Sequence, residues 1–362
     1  MNILQATKKY EQWLAKHITI VRADLAHKHE LMATSSFAFM RGTFYRWAML
    51  FAELLPELLS APEVLGVGDL HVENYGSWRD AEGRLVWGVN DFDEACYLPF
   101  TNDLVRLATS AALAQERGDI SIPLKQTCQI IVDAYRETLE RQGKAFVLAE
   151  KNRTLGAMAR QRLKDPRQFF KRLDREAKAT GKVPHDALAL LLASLPGLAT
   201  KPALFQRQAG VGSLGRQRFL ALSELAGSRI AREAKAILPS AWYFAMGKVE
   251  DKSESAIHIK DLEQVCVRSH DPFLSVQNGW VVRRLAPDCA RIELAELPGH
   301  KDERELLAAM GAEVANVHLG TAKSRLAILR YLDKQKPNWL FAAAKAMAAA
   351  TEQDFRDWRA SR

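Results

Sequence analysis

The sequence predicts an α+β fold with a helical part and a smaller strand-rich part, and three observations predict it. Apolar residues recur at helical spacing towards both ends of the chain, over 4–25, 44–59, 303–319 and 339–358. Short apolar runs bounded by turn residues, at 64–68 and 85–89, read instead as buried strands. A block from about 205 to 290, opened by clustered Gly and Pro at 196–202, has the texture of a separate strand-rich unit.

Taken in order, residues 1–60 hold few breakers and read as helices. The texture changes at Pro62, where the two short apolar runs follow with a turn at 80–83 between them. Helices return at 104–117 and 123–142, and the segment from there to Leu198 also reads as helical. In the strand-rich unit, 219–222 and 280–282 are the clearest strands. The Ala-rich stretch 342–350 reads as a tightly packed helix. The boundaries this implies are 1–204, 205–290 and 291–362.

Composition narrows the function classes. The 362 residues are 48% hydrophobic and 26% charged, a globular balance that excludes a largely disordered chain. Cys96, Cys128, Cys266 and Cys289 lie too far apart for a C-x-x-C pair, which argues against a zinc ribbon, a thioredoxin-type site or a disulfide framework. Residues 1–17 carry Lys8, Lys9, Glu11 and Lys16 among their apolar positions, unlike a signal peptide. The uncharged stretch 187–200 is too short for a bilayer and contains Pro196. A soluble, cytoplasmic protein is expected. The net charge of +8 would suit nucleic acid, but 151–182 holds eleven basic residues and three acids, and the rest of the chain has forty of each sign. One basic strip, assigned to the large helical part, carries the whole excess.

The densest chemistry is Gly68-Asp69-Leu70-His71-Val72-Glu73-Asn74, followed by Asn90-Asp91-Phe92-Asp93-Glu94. Asp69 and Asn74 have the D-x-x-x-x-N spacing of a phosphotransferase catalytic loop, in which the Asp takes a hydroxyl proton and the Asn holds a metal. Asp91, with Asp93 beside it, supplies carboxylate for Mg²⁺, which favours oxygen donors completed by phosphate and water. Either element alone is also an ordinary polar turn; the two together in this order point to a site. His71 shapes the loop as a hydrogen bonder. Asp103 either braces the loop or caps the next helix.

A second element is Gly210-x-Gly212-x-x-Gly215, with Ser213 inside it. On its own the pattern also fits a dinucleotide fingerprint, but a strand rather than a helix is expected after it, which suits a hairpin covering phosphates. The cation for those phosphates is Arg232 or Lys235; an Arg fork is not equivalent to a Lys point charge, and the sequence leaves the choice open.

Through Phe39-Met40-Arg41-Gly42, the two acidic elements, Asp103-Leu104-x-Arg106-Leu107-Ala108, the glycine loop and Arg232-Glu233-Ala234, the chain resembles the bacterial family called domain of unknown function 2252. Its catalytic-loop pattern is similar to that of aminoglycoside and choline phosphotransferases. That resemblance implies a protein-kinase-like two-lobed fold, with Asp69 as base, Asn74 and Asp91 as metal ligands and Asp103 as the later Asp-Leu pair. Val67 stands where those enzymes often have His. The glycine loop follows the catalytic loop instead of preceding it, so the resemblance implies circular permutation: helical lobe, small lobe, then C-terminal helices returning to the helical lobe. Residues 310–318 look like the helix that normally precedes the catalytic loop.

The function expected is ATP- and Mg²⁺-dependent phosphoryl transfer to an unidentified acceptor, with nucleotidyl transfer on the same lobes as a variant. A non-catalytic nucleotide-binding module is the alternative, favoured by Arg232 at the expected Lys position. A metallophosphohydrolase needs a His and Asp series that this chain lacks. A nucleic-acid binder rests only on the basic strip, which a solvated helix face also explains. The acceptor pocket is expected from helices within 102–198, with the strip drawing an anionic acceptor. No membrane partner is expected, and the oligomeric state is left open.

Overall fold

A run of four β-branched residues, Ile18-Thr19-Ile20-Val21, breaks the first helical stretch that periodicity would carry to residue 25. In the computed structural model, which describes residues 1–148, 152–178, 183–248, 257–289 and 300–362, α1 (Ile3–His17) ends there and α2 (Arg22–Met32) begins anew. Asn2 starts α1 with a capping box to Gln5, and Ile3, Ala6, Tyr10 and Leu14 form its buried stripe. The broken segment is used: Ile20 bridges Arg216, and the Val21 N–H donates to the Gly215 carbonyl at 2.9 Å. Two further helices, α3 (Ser36–Gly42) and α4 (Phe44–Leu54), complete the N-terminal helical segment.

Next come β1 (Glu63–Gly66), β2 (Tyr75–Arg79), β3 (Leu85–Val89) and β4 (Cys96–Pro99). β1 pairs antiparallel with β4, while β2, β3 and β5 (Phe146–Val147) form a second small sheet. β2 and β4 escape the sequence pattern. The stretch Tyr-Gly-Ser-Trp-Arg is too mixed to signal a strand, and β4 is four residues ending in Pro99. Pairing with β3 and with β1, and the burial of most of their side chains, make them strands. Helices α5 (Phe100–Glu116) and α6 (Leu124–Glu140) follow, and the large core runs between them and the small sheets.

The strand-rich unit is one six-stranded antiparallel sheet of order β10-β11-β9-β8-β7-β6. Its members are β6 (Ala177–Lys178), β7 (Ala203–Gln206), β8 (Arg218–Leu225), β9 (Ser228–Ala236), β10 (Ser275–Gln277) and β11 (Trp280–Leu285). The period of two divides its apolar residues between faces. Phe219, Ala221, Ala234 and Val282 pack on α9 (His185–Ala193), and Phe205, Leu220, Leu222 and Ala231 pack on α8 (Pro166–Leu173). Strand pairing thus begins well before residue 205. The basic strip is also split, because α7 (Arg153–Gln161) buries Leu155, Met158 and Ala159 in the large core while α8 belongs to the sheet. Lys151 and residues 179–182 of that strip lie outside the described residues.

α10 (Ala241–Ala245) and α11 (Ile259–Val265) connect β9 to β10. The chain then returns to the helical body through α12 (His300–His318), α13 (Ser324–Leu332) and α14 (Trp339–Ala360). α12 packs on α6 and α14 on α5, with Ala343 and Ala344 letting α14 approach closely. The two ends of the chain meet where Ile3, Met32, Phe39 and Trp358 cluster, beside a buried Arg46–Asp354 ion pair of 2.6 Å. Among the described residues no helix is long and apolar enough to cross a membrane.

Candidate functional site

Gly68 adopts φ +77°, and any side chain there would run into the carbonyl of Glu94, so the turn after β1 requires glycine. Asp103, fully buried on α5, holds that turn by accepting from the Val67 N–H at 2.7 Å and the Gly68 N–H at 3.0 Å. His318 of α12 lies 3.1 Å from the same carboxylate through Nε2, and its Nδ1 lies 2.8 Å from the Tyr135 hydroxyl. Asp103 is therefore a brace and not a helix cap. The next residue, Asp69, receives the Arg106 guanidinium on Oδ1, from Nε at 3.0 Å and also from Nη2. Arg106 is fully buried, its guanidinium about equally close to the Phe44 and Trp47 rings at 5.0 and 4.9 Å. With Oδ1 committed, Oδ2 is the oxygen left to act.

Asn74 donates its Nδ2 to the backbone carbonyls of Asp91 at 3.0 Å and Asp69 at 3.3 Å. Those bonds orient the amide and leave Oδ1 as the end able to face a cation. Lys235 reaches across from β9 to the Asp91 carboxylate at 3.3 and 3.4 Å and also pairs with Asp93. Burial and the charge of Asp91 push the Asp93 carboxyl up to about 6. Two carboxylates sharing one ammonium, next to an oriented amide oxygen, leave negative charge that suits a divalent cation completed by phosphate oxygens. Among the described residues no group of three or more His, Cys, Asp or Glu could hold a metal unaided.

The glycine loop meets this centre from above. A methyl group on Gly212 would stand 3.3 Å from Asp69 Oδ2 and 3.1 Å from the Arg41 carbonyl oxygen, so any side chain there crowds the approach. Ser213 Oγ accepts from Arg218 at 2.6 Å, Gly210 starts the loop at φ +76°, and Gly215 ends it against Val21. Arg232 is elsewhere. It projects from the other face of β9, donates to the Ser194 carbonyl at 3.0 Å and lies 4.9 Å from the Phe273 ring. The cation on the acidic centre is Lys235, and Arg232 has no contact with it. His71 is buried beside Asp69, its Nδ1 accepting from the Glu73 N–H at 3.2 Å.

Two spaces adjoin the centre and meet at Arg41, Asp91 and Gly210. One is a cavity of about 760 Å³ between the sheet and the β2–β3 hairpin. Eight basic side chains line it: Arg41, Arg162, Lys164, Arg172, Arg207, Arg218, Arg283 and Arg284. Arg207, Arg218 and Arg283 converge on Glu233; burial opposes its ionisation, but these cations hold its carboxyl well below the usual range. The other is a narrow chamber against Asp69, with about 50 Å³ of free space for water-sized spheres. Its walls include Tyr10, Lys28, Arg41, Phe44 and Tyr45. Helices α1 to α4, the 91–94 segment and the glycine loop thus wall this chamber, whereas side chains from 161–172 line the larger cavity.

Sequence reading gave no role to four participants: Arg106 and Glu233, named only within motifs, Lys28, and Arg216, which pairs with Glu94 at 2.6 Å. Arg106 could have been found, since it lies one turn from Asp103 in an apolar helix where a solvated Arg has no place. Lys28 carries no local signal.

A family described as "Uncharacterized protein conserved in bacteria (DUF2252)" matches the chain over residues 21–183 and 198–361. No curated protein and no solved structure matches it.

Proposed function

This chain belongs to the bacterial family DUF2252, and we propose that it is an ATP- and magnesium-dependent phosphotransferase acting on a hydroxyl acceptor. The observation that carries this is Lys235 meeting Asp91 and Asp93. Counted from β7, the glycine loop joins the first strand to the second, and Lys235 lies on the third. Protein kinases carry their phosphate-binding Lys on the third strand, after a glycine loop between the first two. Here that unit comes later in the chain than the Asp69 loop, yet it folds back so that Gly212 abuts Asp69. The helical lobe closes with α12 against β1, as a circular permutation of a kinase-like fold requires. One departure is that Lys235 pairs with the two aspartates and not with a helix Glu.

In this function the 760 Å³ cavity takes the nucleotide, within the size range of small-molecule sites. Amides of the glycine loop and Lys235 position the phosphates, and the arginines around Glu233 keep the cavity positive. Asn74 Oδ1, Asp91 and Asp93 would hold Mg²⁺, which when bound neutralises phosphate charge. Asp69 Oδ2 receives the acceptor's proton, while Arg106 keeps the carboxylate aimed. A cytoplasmic location accords with ATP as donor and with four free cysteine thiols.

Replacing Asp69 by Asn tests this. Turnover of MgATP should fall at least ~10³-fold, while the nucleotide-dependent rise in melting temperature persists. An Asp69→Asn protein that turns over at the wild-type rate would remove Asp69 from the chemistry.

A further inference from the structure

The chamber against Asp69 limits what can be phosphorylated, and one cation in it stands apart. Its carboxylates are matched: Asp69 with Arg106, Glu94 with Arg216, and Asp91 and Asp93 with Lys235. Arg41 is held by Glu73 at 2.5 Å. Lys28, 6% exposed on α2, makes no ion pair among the described residues, and its one hydrogen bond is to the Gly212 carbonyl at 3.1 Å. Two of its three N–H groups therefore have no protein acceptor within that described set, in a place where a bare ammonium is costly. The free space of about 50 Å³ beside Asp69 is of the scale of a small ligand.

We propose that the acceptor is a small hydroxy acid, its carboxylate bound by Lys28 and its hydroxyl presented to Asp69. This rests on the phosphotransferase function above. The acceptor O–H bond breaks and its proton passes to Asp69 Oδ2. The freed oxygen electron pair forms the new P–O bond to the γ-phosphorus. The bond to the β–γ bridging oxygen breaks, and ADP leaves with that pair.

The experiment measures ADP release by the full-length chain with MgATP and lactate, glycerate or malate. Glycerol serves as neutral control, and a seryl peptide and an aminoglycoside as large acceptors. At least one hydroxy acid should accelerate ADP release and carry the γ-phosphate, with glycerol ineffective. Lys28→Met should raise KM for that acid about tenfold, well beyond any change in KM for ATP, and be rescued in part by Lys28→Arg. Labelling of the peptide or aminoglycoside would overturn the inference, as would bound MgATP with no acceleration by any acid. Absence of any MgATP-induced thermal shift would instead overturn the phosphotransferase function itself.

Discussion

Residues 232 and 235 stand three positions apart on β9, so an extended backbone sends their side chains to opposite faces of the sheet. Register then decides which face meets the aspartates. Lys235 pairs with Arg218 and Val281, on the face that carries Glu233, whereas Arg232 shares its face with Phe219 and Val282. Lys235→Met should weaken MgATP binding at least about tenfold, and Arg232→Met should leave it within about twofold, both read from the nucleotide-dependent thermal shift. The reverse order would reassign the phosphate cation. Asp69, Asn74 and Asp91 were legible because their spacing within one loop and the next is local. Lys28 was not, since its meaning depends on a partner 184 residues away.

At the scale of elements, strongly periodic helices were legible and very short strands were not. A two-residue strand such as β5 is defined by pairing, not by composition. α12 shows a further effect of packing. Its Glu313 is buried against β3, accepting from the Val89 N–H at 3.3 Å and from Asn316 at 3.1 Å, and burial lifts its carboxyl to about 7 despite Arg268 nearby. The unfolded chain ionises this group near 4.5, so between about pH 4.5 and 7 the native state holds the proton more tightly. Stability therefore falls as pH rises through that window, by up to ~3 kcal/mol from this group. Glu313→Gln should match the wild type near pH 4.5 in urea denaturation and exceed it by pH 8. A gap independent of pH would show that Glu313 does not carry this penalty.

For the molecule as a whole, the order of parts along the chain matters less than their closure. The first and last helices pack together through Ile3 and Trp358, leaving the termini near each other at the surface. A variant with its ends joined by a short Gly/Ser linker and reopened in the exposed loop at 196–199 should fold cooperatively, with a melting temperature within about 10 °C of the parent. Failure to fold would mean that the present order of lobes is required for assembly. The basic strip also changes meaning at this scale. Its Arg162, Lys164 and Arg172 line the large cavity beside Asp91, the one assigned to the nucleotide in the proposed function.

The α+β class, the helical ends and the Asp69, Asn74, Asp91 constellation with its glycine loop followed from sequence alone, because each depends on periodicity or on spacings of a few residues. Tertiary structure decided the rest: Lys235 over Arg232, the division of the basic strip between core and sheet, and the enclosure of Asp69 by α1 to α4. These are contacts between segments dozens to hundreds of residues apart, selected by the cost of leaving a buried charge unpaired or an apolar face uncovered.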